Sequence, residues 1–499
     1  MRAWRAGLAV CGLAIGCGGA LEDEGAWDKG QAAEEASELC APLGDAQRVK
    51  VILPPTQSIP RYAAMPESLV EFQGQVYFAV NFEDGRTALW KSAGTEASTV
   101  EVKAFPALPV WSFPRVAGLT AAGNTLFFQA TEAATGHELW ATDGTSGGTK
   151  LVRDFTPGTA SSELRHLTGL GNTAVFARLV PSSDTQPERA ELWRSNGTAA
   201  GTERLVDFGA GSYVSWQSLR LSGSVLLVVT HPRRGTELWK TDGTPAGTGL
   251  VRNIDSGQVN VVDVSNEGRR AFFTVIDEGN TEIWQTDGTS AGTLRLYTFG
   301  PNPQARLLGS LGEYVYLTLS DMDQQWMRVY RLRTGTTSNN REYVANLPNP
   351  YASQLDAFPF LNRVSRTEGK LFFSIVIGSS GPAPRDTQLW VTDGTAAGTK
   401  LLRRPLSLSD EYDSPVFAVS SGLVFFSAYE ASAGIEPWVS DGTTAGTRRL
   451  QNIAPGEGDS YPRSFLRSGN RVYFGAFDDT QAGQLWSVPL QSTCLTGER

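Results

Sequence analysis

Glu138-Leu139-Trp140-Ala141-Thr142-Asp143-Gly144-Thr145, followed by Gly148-Thr149, is the stretch that decides the fold. It recurs as Glu237 to Thr248, Glu282 to Thr293, Gln388 to Thr399 and Glu436 to Thr447. Looser copies sit at Leu89-Trp90, Leu192-Trp193, Tyr330-Arg331 and Leu485-Trp486. The tryptophans at 90, 140, 193, 239, 284, 390, 438 and 486 fall about 45 to 53 residues apart, with one double gap that holds a degenerate sixth copy. A fixed period of this size is the mark of a repeat architecture. Nine units fill residues 45 to 490.

Each unit reads as four short strands. In the second unit they are Val116 to Leu119, Thr125 to Gln129, Glu138 to Ala141 and Thr149 to Arg153, with Gly, Asn and Asp between them. Four strands of about five residues plus turns account for one repeat, and four strands per repeat is a propeller blade. A blade is covered on both faces by its neighbours, so its strands are apolar on both sides, as Phe127-Phe128, Phe272-Phe273 and Phe372-Phe373 show. Adjacent Leu139 and Trp140 point to opposite faces, hence into two different wedges between blades. The reading is an all-β fold, a single β-propeller of about nine four-stranded blades. The last unit stops after its third strand, while Arg48 to Leu53 precedes the first unit as a fourth strand without a blade. Pairing the two closes the ring and removes its edges. Cys40 and Cys494 flank the two strands, and export to an oxidising compartment permits a disulfide between them.

In the turn between third and fourth strands, glycine supplies a positive φ and the Asp carboxylate accepts a nearby N–H. Comparing the copies separates geometry from charge. Gly94, Gly144, Gly197, Gly243, Gly288, Gly335, Gly394 and Gly442 keep glycine in every full copy. Asp143, Asp242, Asp287, Asp393 and Asp441 give way to Ala93, Asn196 and Thr334 elsewhere. The second glycine gives way to Ser98 and to Asn339, and Asn tolerates the left-handed region. A repeated Asp also raises calcium, but calcium wants six to eight oxygens and each turn offers one carboxylate. No cofactor or metal is expected. The repeated motif resembles the ELWxxDGT repeat of secreted bacterial proteins and is similar to TolB-like propeller repeats, over nearly everything after residue 45. The resemblance implies a propeller and no established chemistry.

Composition fits an all-β chain and excludes other classes. The 53 Gly, 26 Pro, 13 Trp and 23 Phe favour short strands and tight turns, and helical patterning is missing from the bulk of the 499 residues. A net charge of −9 leaves no basic stripe for a phosphate backbone, so nucleic acid is not an expected partner. Three His and four Cys are scattered, never at metal-ligand spacing. At the N-terminus, residues 1–17 read as a signal peptide: Arg2 and Arg5, then a short apolar run, then Gly16-Cys17. Leu13 to Cys17 resembles a bacterial lipobox, which implies lipidation of Cys17; cleavage without lipid is the alternative. Residues 18–38 are an acidic tether, too polar to bury a core, and residues 39–499 form the propeller. The localisation expected is exported, as an outer-membrane or cell-surface lipoprotein or as a secreted protein, with membrane contact through the lipid anchor only.

In such a ring the second-to-third and fourth-to-first connections share one face, opposite the Asp-Gly-Thr turns. The second-to-third loops vary widely: Glu83 to Gly85, Ser183 to Arg189, His231 to Arg234, Asp321 to Trp326, Gly378 to Asp386 and Asp478-Asp479. Loops leading into the blades carry aromatics outside the repeat, namely Trp111, Tyr213, Trp216, Tyr351, Tyr412 and Tyr461. Variable loops on a rigid scaffold are where binding usually lives, and aromatics among carboxylates suit a sugar or an extended polymer. Plugging of gaps between blades is the competing role. No nucleophile elbow, phosphate loop or His-Glu-x-x-His stands in the sequence. Three functions remain: a propeller that binds a polysaccharide or an envelope or surface protein through the variable face, a glycan-active enzyme with carboxylates at the channel mouth, and a purely structural surface protein.

Overall fold

The structure, a computed structural model, describes residues 42, 44–52, 65–82, 84–108, 115–254, 258–260, 268–321, 323–337, 341–381, 383–408, 415–420, 422–478 and 482–490. Among them there is no helix. The strands form nine antiparallel four-stranded sheets, a nine-bladed β-propeller. Eight blades are simple meanders. The ninth takes its three strands Arg463–Ser468, Arg471–Phe477 and Gly483–Pro489 from the end of the chain and its fourth, Gln47–Lys50, from the beginning. Gln47 pairs with Ser487 and Arg48 with Trp486, as the unpaired half-blades require. The Gln484 side chain locks the seam by accepting from the Ile52 N–H at 2.7 Å. Pro42 bridges Leu490 just outside it. Cys17, Cys40 and Cys494 lie outside the described residues.

The first strands of neighbouring blades touch one another, so they form the axial wall and the fourth strands the rim. Between blades lie wedges of apolar side chains. Phe128 and Trp140 pack with Phe105 and Tyr77 of the preceding blade, whereas Phe127 and Leu139 pack with Phe176 and Trp193 of the following one. Consecutive residues thus serve opposite wedges, as strand alternation dictates. Burying one such aromatic removes on the order of 2 to 3 kcal/mol of unfavourable hydration, and every wedge needs both its blades. The sixth unit, which lacks the Trp, still forms a full blade. Its Tyr330 packs against the fifth blade and the Tyr343 ring, 5.7 Å away. The first unit is likewise complete.

The turns explain their own motif. In the second blade Asp143 Oδ1 accepts from Thr145 N at 2.9 Å and Thr145 Oγ1 at 2.7 Å, Thr142 Oγ1 accepts from Gly144 N, and Thr142 and Thr149 share a hydroxyl bond. Gly144 sits at φ 94°, and a Cβ there would run into the Tyr77 hydroxyl of the neighbouring blade. The second glycine has a different reason from the left-handed one expected. It is absent from the positive-φ residues; instead a Cβ on Gly148 would overlap the Asp143 carboxylate, as on Gly247, Gly292, Gly398 and Gly446 in their turns. The first blade shows the converse. Ala93 removes the carboxylate, Ser98 fills its space, and Ser98 Oγ accepts from the N–H groups of Ala93 and Thr95 at 3.1 Å. The acceptor stays in place while the residue that supplies it moves from one end of the turn to the other.

Gly148→Ala should therefore cost about 1 to 3 kcal/mol in denaturant unfolding, whereas Asp143→Ala combined with Gly148→Ser, which copies the first blade, should recover most of it. Equal losses for the two variants would contradict the shared-space explanation.

Candidate functional site

Strand direction fixes the two faces of the ring. All six variable loops join second to third strands on one face, where they meet the loops leading into the blades: Ser162 N donates to His137 O, and Arg385 donates to Gln354 Oε1 and Leu355 O. The Asp-Gly-Thr turns occupy the other face. There a Lys or Arg of the preceding blade repeatedly donates to the turn backbone, as Lys91 does to Gly144 O, Arg194 to Gly243 O and Lys370 to Asp441 O.

Of the aromatics proposed to bind, Trp111 and Tyr412 lie outside the described residues, and Trp216 falls within the strand Tyr213–Leu221 without a described side chain. Tyr213 and Tyr461 both sit on the variable face, and both rings have local partners. Arg165 lies 4.7 Å over the Tyr213 ring while donating to Val214 O at 3.0 Å and to Glu163. The Tyr461 hydroxyl donates to Asp459 Oδ2 at 3.0 Å, and Asp459 Oδ1 in turn receives Ile435 N. Tyr351 is half-buried in a loop braced by Asn349. Nor do the cations beside His231 converge, because Arg234 is paired with Glu237 at 2.7 Å and His231 Nδ1 accepts from Arg233 N.

The innermost strands carry a feature that sequence reading missed. In seven blades the first strand has one or two extra residues relative to the second, a bulge beginning near its variable-face end. Ser68, His166 and Ser464 occupy it in the left-handed region, at φ 55°, 56° and 58°. Each costs of order 1 kcal/mol or more, and such strain gathers at functional positions. The His166 imidazole is tied to Ser215 O, and burial lowers its pKa, so it is neutral at pH 7.

The glutamate that stands two residues before the Trp in five blades was also unassigned. It shares a strand face with that Trp and is buried, or half-buried at Glu282. Glu191, Glu237 and Glu282 each accept from the following Trp Nε1 at 2.9 Å, and Gln388 does so at 2.8 Å. Glu138 and Glu436 instead hold the loop into the next blade. Glu138 accepts from Phe155 N and Ser162 Oγ; Glu436 accepts from Ile453 N, Ala454 N and Ser460 Oγ. In those two blades the Trp140 and Trp438 indole N–H groups have no acceptor. The alternation of Glu and Trp at i, i+2 was the available signal. Burial pushes the Glu436 pKa up to about 7, outweighing its three donors. Among the described residues no three His, Cys, Asp or Glu side chains come together as a metal site requires.

A groove of about 590 Å³ runs along the rim strand Leu294–Phe299 of the fifth blade, beside Arg252, Trp284 and Thr337. The Trp284 ring there is already covered by Arg252 at 5.3 Å and Phe273 at 6.0 Å.

No family model matches the chain, and no curated protein does. Solved structures do. A eukaryotic initiation factor is 12% identical with a TM-score of 0.46, over 81% of this chain and 93% of that one. A prolyl endopeptidase is 12% identical with a TM-score of 0.41, over 76% of this chain, which spans only 55% of the peptidase. The β-propeller domain of a trilobed protease from Pyrococcus furiosus is 10% identical with a TM-score of 0.37, over 68% and 98%.

Glu436 generates a prediction with a definite sign. Its folded pKa lies above the ordinary 4.5, so the folded protein binds the extra proton between those values and stability falls as pH rises from about 4.5 to about 7. The loss is about 3 kcal/mol. Glu436→Gln, the residue already used at Gln388 and Gln484, should flatten that part of the stability curve measured by thermal unfolding at pH 5, 6 and 7. An unchanged slope would contradict it.

Proposed function

We propose that the chain is an exported propeller of the ELWxxDGT-repeat type that binds a polysaccharide or a surface protein through its variable face, tethered by lipid at Cys17. The observation that carries this is the direction of the seam. The strand Gln47–Lys50 runs as a fourth strand, from the turn face toward the variable face, so the described chain enters the fold at the turn face, where Pro42 lies. A tether attached there points the Asp-Gly-Thr turns at the membrane and the variable loops away from it. The residues that repeat are consumed by the fold: Asp by its own turn, Glu by an indole or a loop, Trp by a wedge. Recognition then falls to the groups that differ between blades, which lie on the outward face. The bridge from Pro42 to Leu490 supports a Cys40–Cys494 disulfide, since Cys40 stands two residues before Pro42 and Cys494 four residues after Leu490. For a loop of this length the chain-entropy model gives roughly 4 to 5 kcal/mol or more.

The rival reading as a glycan-active enzyme draws on carboxylates at the mouth. Glu163 there is paired with Arg165, and Glu67 accepts from Asn81. Both serve the wall, which favours binding over catalysis.

Orientation is testable in vesicles that carry the lipidated protein. A fluorophore at Ser146→Cys, on the turn face, should be quenched by spin-labelled lipid, and one at Leu355→Cys, on a variable-face loop and 85% exposed, should not. Equal quenching, or a Cys17→Ser protein that still partitions with lipid, would overturn the anchored arrangement. Separately, reduction of the oxidised protein should lower its thermal midpoint, and a Cys40→Ser variant should show the lower midpoint without reductant. A midpoint indifferent to reductant would remove the disulfide.

A further inference from the structure

Register places a set of cations at one level of the axial wall. In seven blades the second-strand residue one beyond the partner of the third-strand Trp, or of Tyr330 in the sixth, pairs with a described first-strand residue. Following that rule around the ring gives Glu67, Ala117, Arg165, Asn260, Arg306, Arg363 and Arg463 in blades one, two, three, five, six, seven and nine. Four of the seven are arginine and one is acidic. The residues one step further along the same second strands are apolar except Arg178, which pairs with Glu191. The level coincides with the bulges and lies in the variable-face half of the channel. Arg165 is buried and pairs with Glu163; Arg306, Arg363 and Arg463 are exposed to solvent. Over their full lengths the nine first strands hold seven arginines, three glutamates and neither Lys nor Asp, within a chain whose net charge is −9.

We infer that this arginine level binds a carboxylate-bearing polysaccharide, a polyuronate, laid into the variable-face mouth of the channel. The inference rests on the reading of the molecule as a binding propeller and names its ligand class. Guanidinium groups match carboxylates bidentately, which ammonium groups do not, and the wall uses arginine alone. Around the arginines the bulges carry Ser68 and Ser464, hydroxyl groups that pair with sugar hydroxyls. A folded acidic protein presents a convex surface to a mouth walled by innermost strands, whereas an extended sugar chain can lie across it.

The test is calorimetric titration of the mature chain with polygalacturonate at low and at physiological salt. Fully methyl-esterified polymer and poly-L-glutamate serve as the other ligands. The triple variant Arg306→Gln, Arg363→Gln, Arg463→Gln is compared with a control of equal charge change, Lys150→Gln, Arg333→Gln, Arg448→Gln, and the single Arg306→Gln covers a triple variant that does not fold. Polygalacturonate should bind, more weakly at higher salt, with at least a tenfold loss in the triple variant, a measurable loss in the single one and little in the control. Ester polymer and polyglutamate should bind at least tenfold more weakly than polygalacturonate. Absence of polygalacturonate binding, equal binding of the ester, or equal losses in triple and control variants would overturn the inference, and preference for polyglutamate would replace it with a peptide site. Binding of polygalacturonate that survives the triple variant but is lost in Tyr461→Ala would sink the arginine level while leaving the variable-face reading standing.

Discussion

No blade of this protein can bury its own hydrophobic faces. Each sheet is apolar on both sides, so each depends on the neighbour to its left and the neighbour to its right, and the arrangement is stable only when the series has no ends. The seam in the ninth blade therefore supports every other wedge. It is made by four residues from one end of the chain, held by a backbone ladder and by the Gln484 side chain on Ile52. Gln484 stands where other blades carry the Glu that accepts from an indole or holds an incoming loop. The same buried acceptor that stitches blade to blade elsewhere stitches the beginning of the chain to its end here.

A second economy runs through the turns. The Asp-Gly-Thr hairpin satisfies its own donors, and its glycine lets it lie against the preceding blade, where Tyr77, Tyr316 and Tyr473 hydroxyls take the space a Cβ would need beside Gly144, Gly394 and Gly94. Those tyrosines have raised pKa values because they are buried beneath the turns. The turn face is consequently built from repeated parts that leave little to vary. Variation is confined to the opposite loops and to the level of the channel wall where the first strands bulge.

The architecture was legible in the sequence because its determinants are local and repeated. Period, strand number, the left-handed glycine and the two complementary half-blades each need only a few adjacent residues to be recognised. The purpose of the second glycine was not, because the carboxylate that excludes its Cβ is brought there by the turn itself; Ser98 opposite Ala93 was the clue. The arginine level was invisible for a different reason. Arg463 is the first residue of its strand, Arg165 and Arg306 are the third and Arg363 is the fifth, and bulges lie beside them, so only the pairing register shows that they share a level. The aromatic residues chosen from the loops were correctly placed on the variable face where described, but Tyr213 and Tyr461 proved to be occupied by Arg165 and Asp459, contacts between residues whose geometry no spacing rule discloses.

The claim on which the rest stands is that the N-terminal strand closes the ring. Hydrogen exchange of the chain from residue 39, compared with one starting at residue 65, tests it most directly. Removing the strand should expose the amides of Gly483–Pro489 to rapid exchange and lower protection in the wedges on both sides, in the first and eighth blades. Unchanged protection of that strand in the shortened chain would mean that the ring does not depend on its seam.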